Sequence, residues 1–189
     1  RFLDSVGGEQ IVVLDEAYFE YVDKAEYPDG MQLLAAYPNL IVFRTFSKMY
    51  ALAALRVGLL CASEELVDIV RRAHVAYSVN KLGQLAAAEA LRDDSDFVAE
   101  TRAMVVRGRQ MLSALFSEMG FEHLVGEGNY MMVKTPISDT LLHRKLLCKG
   151  IMVRTMTGFR FPNWIRVSLV QEYIMEEFCA AFKAMLQKG

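Results

Sequence analysis

Apolar residues along this chain come first as short unbroken runs ending on polar groups, and later at helical spacing. The first run, "IVVL" (Ile11–Leu14), has three β-branched residues and turns acidic at Asp15 and Glu16. Such a run is expected of a strand buried on both faces of a parallel sheet. "LIVFRTFS" (Leu40–Ser47) repeats the pattern after "LLAAYPN", which predicts a short helix, so the two runs read as a right-handed parallel βαβ crossover. "LRVGLLCAS" (Leu55–Ser63) predicts a third strand. Ligands of open α/β sheets gather beyond the carboxyl ends of strands, where Asp15 and Lys48 fall.

Helical texture follows. "SEELVDIVRRAH" starts at Ser63, a good N-cap, carries two glutamates in its first turn and ends in basic residues, as a surface helix does. "LGQLAAAEALRD" predicts an alanine-rich helix. From Asp96 to Met119 the apolar positions Phe97, Met104, Val105, Met111, Leu112, Leu115, Phe116 and Met119 keep the helical period, and Gly120 is placed to end it. Beyond it come the strand-like "NYMMVKT", "IMVRT" and "WIRVSLV". The helix "SDTLLHRKLLCKG" is capped by Ser138, and a last helix runs from about Gln171 to Lys188. The hairpin-like "GFRFPN" gives this lobe an antiparallel component. The expected division falls within the long helix: residues 1–105 in an α/β domain with a mostly parallel sheet, 106–189 in a smaller α+β domain.

Composition narrows the partners. The 189 residues are 53% hydrophobic and 23% charged, which is globular, and a net charge of -2 offers nothing to nucleic acid or an anionic membrane. Cys61, Cys148 and Cys179 are odd in number and far apart, which fits reduced thiols in a cytoplasmic protein. No apolar run approaches the roughly 18 residues of a membrane span, and "RFLDSVGGEQ" lacks signal-peptide architecture. The chain opens on Arg1 and is in a strand by Ile11, so it is expected to begin mid-protein.

Three chemistries compete for the polar strand ends. His74, His123 and His143 have no metal-ligand spacing, so metal catalysis is not expected. "IVVLDE" is like the magnesium-binding strand of nucleotide hydrolases, but no G-x-x-x-x-G-K-[ST] segment accompanies it here, although one could lie in a missing N-terminal half. Ser47 and Lys48 could form a nucleophile and base, yet neighbours on an extended strand point to opposite faces. The third reading uses Asp15, Tyr18, Thr45, Ser47, Lys48 and Arg56 together. A lysine amine can form a Schiff base with an aldehyde, and a carboxylate from the next strand can keep a pyridine nitrogen protonated, which together describe pyridoxal phosphate chemistry. Thr45, Ser47 and Arg56 supply the hydroxyls and guanidinium that a phosphate needs, and Tyr18 could donate to the ring's phenolic oxygen.

"VVLDEAYFEY", "NLIVFRTFSKMYALAALRVG", "YSVNKLGQLAAAEAL" and "FPNWIRVSL", in this order, resemble the C-terminal half of the histidinol-phosphate aminotransferase family, within the fold-type-I pyridoxal-phosphate transaminases. The likeness covers nearly the whole chain. It implies part of a three-layer α/β/α major domain followed by a small α+β domain. It also implies Lys48 as the covalent anchor and proton shuttle, Asp15 at the pyridine nitrogen, Tyr18 at the ring oxygen, and Ser47 and Arg56 at the phosphate, with Thr45 beside them. Arg166 would hold a substrate carboxylate or phosphate, a task suited to a planar guanidinium. Ala54 stands where glycine is usual, which the backbone accommodates if φ there is negative.

The implied activity is transamination between histidinol phosphate and 2-oxoglutarate by a homodimer. Threonine-phosphate decarboxylase shares these motifs, the cofactor-binding domain of a transcription regulator is a further reading, and an inactive truncated fragment with an exposed apolar face is another.

Overall fold

Two strands rich in β-branched residues, Val12–Asp15 (β1) and Leu40–Thr45 (β2), run parallel with Val12 opposite Leu40 and Asp15 opposite Phe43. Residues 1–93 and 95–186 are described by a computed structural model, in which the chain forms two compact units, Arg1–Val98 and Ala99–Gly189. In the first unit a short helix, Phe2–Val6 (α1), precedes β1. The crossover helix is Gly30–Leu33 (α2), earlier than "LLAAYPN", because Asp29 supplies a cap by accepting from the Met31 amide at 3.0 Å.

Gly58–Ala62 (β3) pairs antiparallel with β2, Thr45 lying opposite Gly58. The expected mostly parallel sheet is therefore corrected: among the described strands of this sheet, one pairing is parallel and one antiparallel. Between β2 and β3 the chain forms only a single 3-10 turn at Ala53–Leu55, so no crossover helix carries it over the sheet and it returns as a hairpin.

Glu64–Ala73 (α3) begins after Ser63, but the Ser63 hydroxyl donates to the Pro38 carbonyl at 3.0 Å instead of capping. Lys81–Arg92 (α4) is capped by Asn80, whose Oδ1 accepts from the Gly83 amide at 2.8 Å and whose Nδ2 donates to the Leu55 carbonyl at 2.8 Å. A Cβ on Gly83 would sit 2.5 Å from Val57 Cγ2, so α4 meets the hairpin at a distance only glycine permits. Phe46, Val57 and Ala87 form the buried cluster beneath, with Tyr50, Leu52 and Leu55 against it.

Phe97–Glu118 (α5) buries Val105, Leu112, Leu115 and Phe116 and ends as expected at Gly120, where φ is +69 and the Phe121 amide donates to the Phe116 carbonyl at 2.8 Å. The second unit holds a fully antiparallel sheet of His123–Val125 (β4), Tyr130–Lys134 (β5), Arg154–Thr155 (β6) and Trp164–Ser168 (β7), in the order β4-β5-β7-β6. Asp139–Leu147 (α6) and Glu172–Leu186 (α7) complete it; the expected helix end at Lys188 lies outside the described residues. Met131, Val133, Ile165 and Val167 on one sheet face are buried, as are Leu142, Leu146, Met175, Phe178 and Phe182 on the helices.

Candidate functional site

Because β1 and β2 are parallel, both end at one edge of their sheet, and antiparallel β3 starts there. Three chain segments thus deliver polar residues to the same edge. Asp15 ends β1, and its Oδ1 accepts from the Ala17 amide at 3.0 Å, turning the chain into Tyr18 and the 3-10 turn Phe19–Tyr21. Lys48 lies three residues beyond β2 with its Nζ 5.4 Å from the centre of the Tyr18 ring, within reach of a cation–π contact.

The hairpin continues one rung past its strands, with the Phe46 amide donating to the Val57 carbonyl at 3.2 Å. Ser47 and Arg56 are the next residues beyond that rung on the two arms. The Thr45 hydroxyl accepts from the Ser47 amide at 3.1 Å and donates to the Val57 carbonyl at 3.4 Å, so it is engaged in holding the loop. Arg56 adopts a left-handed backbone, φ +56, as does Ala51 at φ +55; for residues with a Cβ this conformation is strained and tends to occur where function requires it. Ala54 is not among the positive-φ residues, so no glycine is required there.

The charges at this edge are unbalanced. Among the described residues neither Lys48 nor Arg56 has a carboxylate partner, and Arg56 Nη1 donates only to the Ala53 carbonyl, at 2.8 Å. The half-buried Ser47 hydroxyl carries no hydrogen bond among them either. A hydroxyl and a guanidinium that are not engaged by a carboxylate suit a doubly charged oxyanion, and the nearby Lys48 amine can attack a carbonyl.

In the second unit Arg166 is half-buried on β7, on the sheet face opposite Ile165 and Val167, with its Cζ 5.0 Å from the centre of the Tyr130 ring. Arg154 lies directly across from it on β6. Like charges facing each other on adjacent strands oppose pairing, and neither arginine has an ion-pair partner among the described residues. The sequence reading missed Arg154; the signal was an arginine in "IMVRT" that the "GFRFPN" hairpin folds against "WIRVS".

Each histidine has a local partner. The His74 ring bonds the Ser78 hydroxyl at 2.8 Å, His123 the Phe121 carbonyl at 3.0 Å, and His143 the Val153 carbonyl at 2.9 Å. No helix among the described residues is long and apolar enough to cross a membrane.

Residues 8–182 match the family model for aminotransferase class I and II. The chain belongs to that family. Histidinol-phosphate aminotransferase 2 of Pseudomonas fluorescens (strain Pf0-1) is 38% identical to this class I and II aminotransferase chain over 188 residues, covering 100% of it and 50% of the relative. The crystal structure of histidinol-phosphate aminotransferase from Sinorhizobium meliloti in complex with pyridoxal-5'-phosphate is 25% identical, with a TM-score of 0.81 over 98% of this chain and 51% of that one. L-threonine-O-3-phosphate decarboxylase from Porphyromonas gingivalis shares the fold, with a TM-score of 0.88 at 20% identity over 100% of this chain and 58% of that one. The aminotransferase chain spans about half the length of the curated relatives it matches. Its mixed α/β architecture is part of the aminotransferase fold that the motifs implied.

Proposed function

We propose that the chain is the lysine-bearing half of a pyridoxal-phosphate-dependent aminotransferase that moves an amino group from histidinol phosphate to 2-oxoglutarate. The observation that carries this reading is the meeting of Asp15, Tyr18, Ser47, Lys48 and Arg56 at one sheet edge, with the cationic groups lacking carboxylate partners. That donor set fits a phosphorylated aldehyde. When bound, pyridoxal 5'-phosphate supplies a carbonyl that accepts amines and a ring that spreads the negative charge developing at the amine-bearing carbon.

The chain's own residues do the rest. The Lys48 amine would anchor the cofactor and, once free, would accept and hold the proton released from the substrate's α-carbon. The Asp15 carboxylate holds a proton at the ring nitrogen by opposite charge. Tyr18 donates its hydroxyl to the ring oxygen. The Ser47 hydroxyl and the Arg56 guanidinium bind the phosphate, while Thr45 keeps their loop in shape. Arg166, with Arg154 across from it, recognises the substrate's carboxylate or phosphate. Residues 1–105 then belong to the larger cofactor domain and 106–189 to the small domain of a cytoplasmic homodimer.

The whole gene product should turn yellow with pyridoxal 5'-phosphate, and its Lys48→Ala variant should not. Amino transfer from histidinol phosphate to 2-oxoglutarate supports the assignment. Release of carbon dioxide from threonine phosphate would replace it with the decarboxylase, and absence of a lysine-dependent colour would overturn both.

A further inference from the structure

The geometry points to a positioning role for two residues that the cofactor reading leaves unused: Glu16 and Arg44 form a largely buried clamp that sets Asp15 and the Lys48 hairpin in place. The inference rests on that cofactor reading. Glu16 follows Asp15, and Arg44 precedes Thr45. In the parallel register, side chains opposite each other share a face, so Asp15 lies on the face of Phe43 while Glu16 and Arg44 lie together on the other.

The Glu16 side chain is 2% exposed, and its Oε2 accepts from Arg44 Nε at 3.0 Å and Nη2 at 2.8 Å. Its Oε1 accepts from the Gly30 amide at 2.8 Å. Arg44 Nη2 also donates to Asp29 Oδ1 at 2.6 Å, and the guanidinium stacks 4.0 Å from the centre of the Phe19 ring. One guanidinium thus joins the end of β1, the excursion that contains Tyr18 and Phe19, and the end of β2. Burial alone would lower the Arg44 pKa, but Glu16 and Asp29 together raise it above its ordinary value, so the fork stays charged.

A buried ion pair adds little net stability over a well-packed apolar pair of similar volume. What it adds is direction, because a two-pronged bond fixes distance and angle where packed methyl groups slide. Asp15 and Lys48 are the groups that benefit, since a displacement of about 1 Å at a reacting centre costs on the order of a hundredfold in rate.

The test loads the whole gene product with pyridoxal 5'-phosphate and reads visible circular dichroism per bound cofactor, a signal that an achiral cofactor acquires only when held in one orientation. In Glu16→Gln and Arg44→Lys this signal falls and the cofactor binds roughly tenfold more weakly, at temperatures where the far-ultraviolet spectrum stays native. In the cofactor-free protein, amide hydrogen exchange at Ala17 and Ser47 quickens while that of Leu115 does not. Asp29→Asn keeps the helix cap but loses the outer charge, and shows a smaller change of the same sign even if the other two variants fail to fold. Signal, affinity and exchange equal to the parent's in the folded variants would overturn the clamp and leave the Lys48 reading intact. A parent protein that forms no lysine-dependent adduct overturns both.

Discussion

Among the described residues each unit buries one carboxylate, and the two satisfy it by different means. In the first unit Glu16 draws in an arginine, Arg44, together with the Gly30 amide. In the second, Asp139 takes neutral donors: the Met156 amide at 3.0 Å, the Thr157 amide at 2.9 Å and the Thr157 hydroxyl at 2.7 Å. Among the described residues, no cation of the second unit is engaged by its buried carboxylate. Arg154 and Arg166 remain opposite each other with the rings of Phe159 and Tyr130, at 5.3 and 5.0 Å, as their aromatic neighbours. An arginine in a strand therefore says little about anion binding until its partners are known. Arg44 is engaged by Glu16 and Asp29, whereas Arg166 has no ion-pair partner among the described residues.

The contrast breaks most visibly on removing each arginine. Arg44→Met leaves Glu16 buried without counter-charge and should destabilise the protein by about 3–5 kcal/mol in chemical denaturation, whereas adding Glu16→Met should restore much of that loss. Arg166→Met should leave stability within about 1 kcal/mol of the parent or raise it, because it relieves the cross-strand repulsion with Arg154. Equal losses at the two positions would contradict the distinction between them.

In catalysis the two should separate by step, Arg44 acting through cofactor binding and Arg166 through substrate binding. Losing the charge-assisted bonds of Arg166 should weaken binding of an anionic substrate by roughly 1.5–3 kcal/mol, read as a KM increase of about 10- to 100-fold. An unchanged KM in Arg166→Met would remove this residue from substrate recognition. A smaller structural effect is expected at Gly30, where a Cβ would lie 2.7 Å from Leu14 Cδ2 and 2.8 Å from Glu16 Oε1. Gly30→Ala should cost about 1–3 kcal/mol through overpacking, and a thermal midpoint equal to the parent's would show that the clamp yields more than its distances suggest.

The candidate site of the first unit could be proposed from sequence because its residues sit in two contiguous motifs at strand ends, Asp15 to Tyr18 and Thr45 to Arg56. The direction of β3 was not legible, since an apolar run looks alike in parallel and antiparallel pairing. Nor was the clamp: Glu16 and Arg44 are far apart in sequence, and an isolated charge ordinarily belongs on the surface. β4 spans only His123–Val125, too short for any period to appear. Arg154 was hidden by register. The turn that sets it uses left-handed Arg160 and Asn163, at φ +65 and +66, with no glycine at either position to mark it. Ser63 and Ser138 precede helices as expected, yet neither side chain forms a cap bond.

Acid sharpens the comparison at its smallest scale, because a carboxylate held by neutral donors can be titrated without disturbing an ion pair. Burial pushes the Asp139 carboxyl upward, but the Thr157 hydroxyl and the amides of Thr157, Met156 and Thr140 outweigh it and hold the group below the ordinary 3.8. The folded pKa is thus lower than the unfolded one. The corresponding stability is fully present above the ordinary value and is lost as pH falls below it, through the folded pKa. Asp139→Asn has no such titration and presents N–H groups to donors, so it should be less stable than the parent by about 1 kcal/mol at neutral pH. The gap should close as the pH drops below 3.8. Exposed carboxyls with lowered values, Asp4 and Asp93, are common to both proteins and cancel in the difference. Denaturation curves of the pair across the acid range measure that gap directly, and a gap that stayed constant or widened in acid would mean that the neutral donors do not favour the charged form of Asp139.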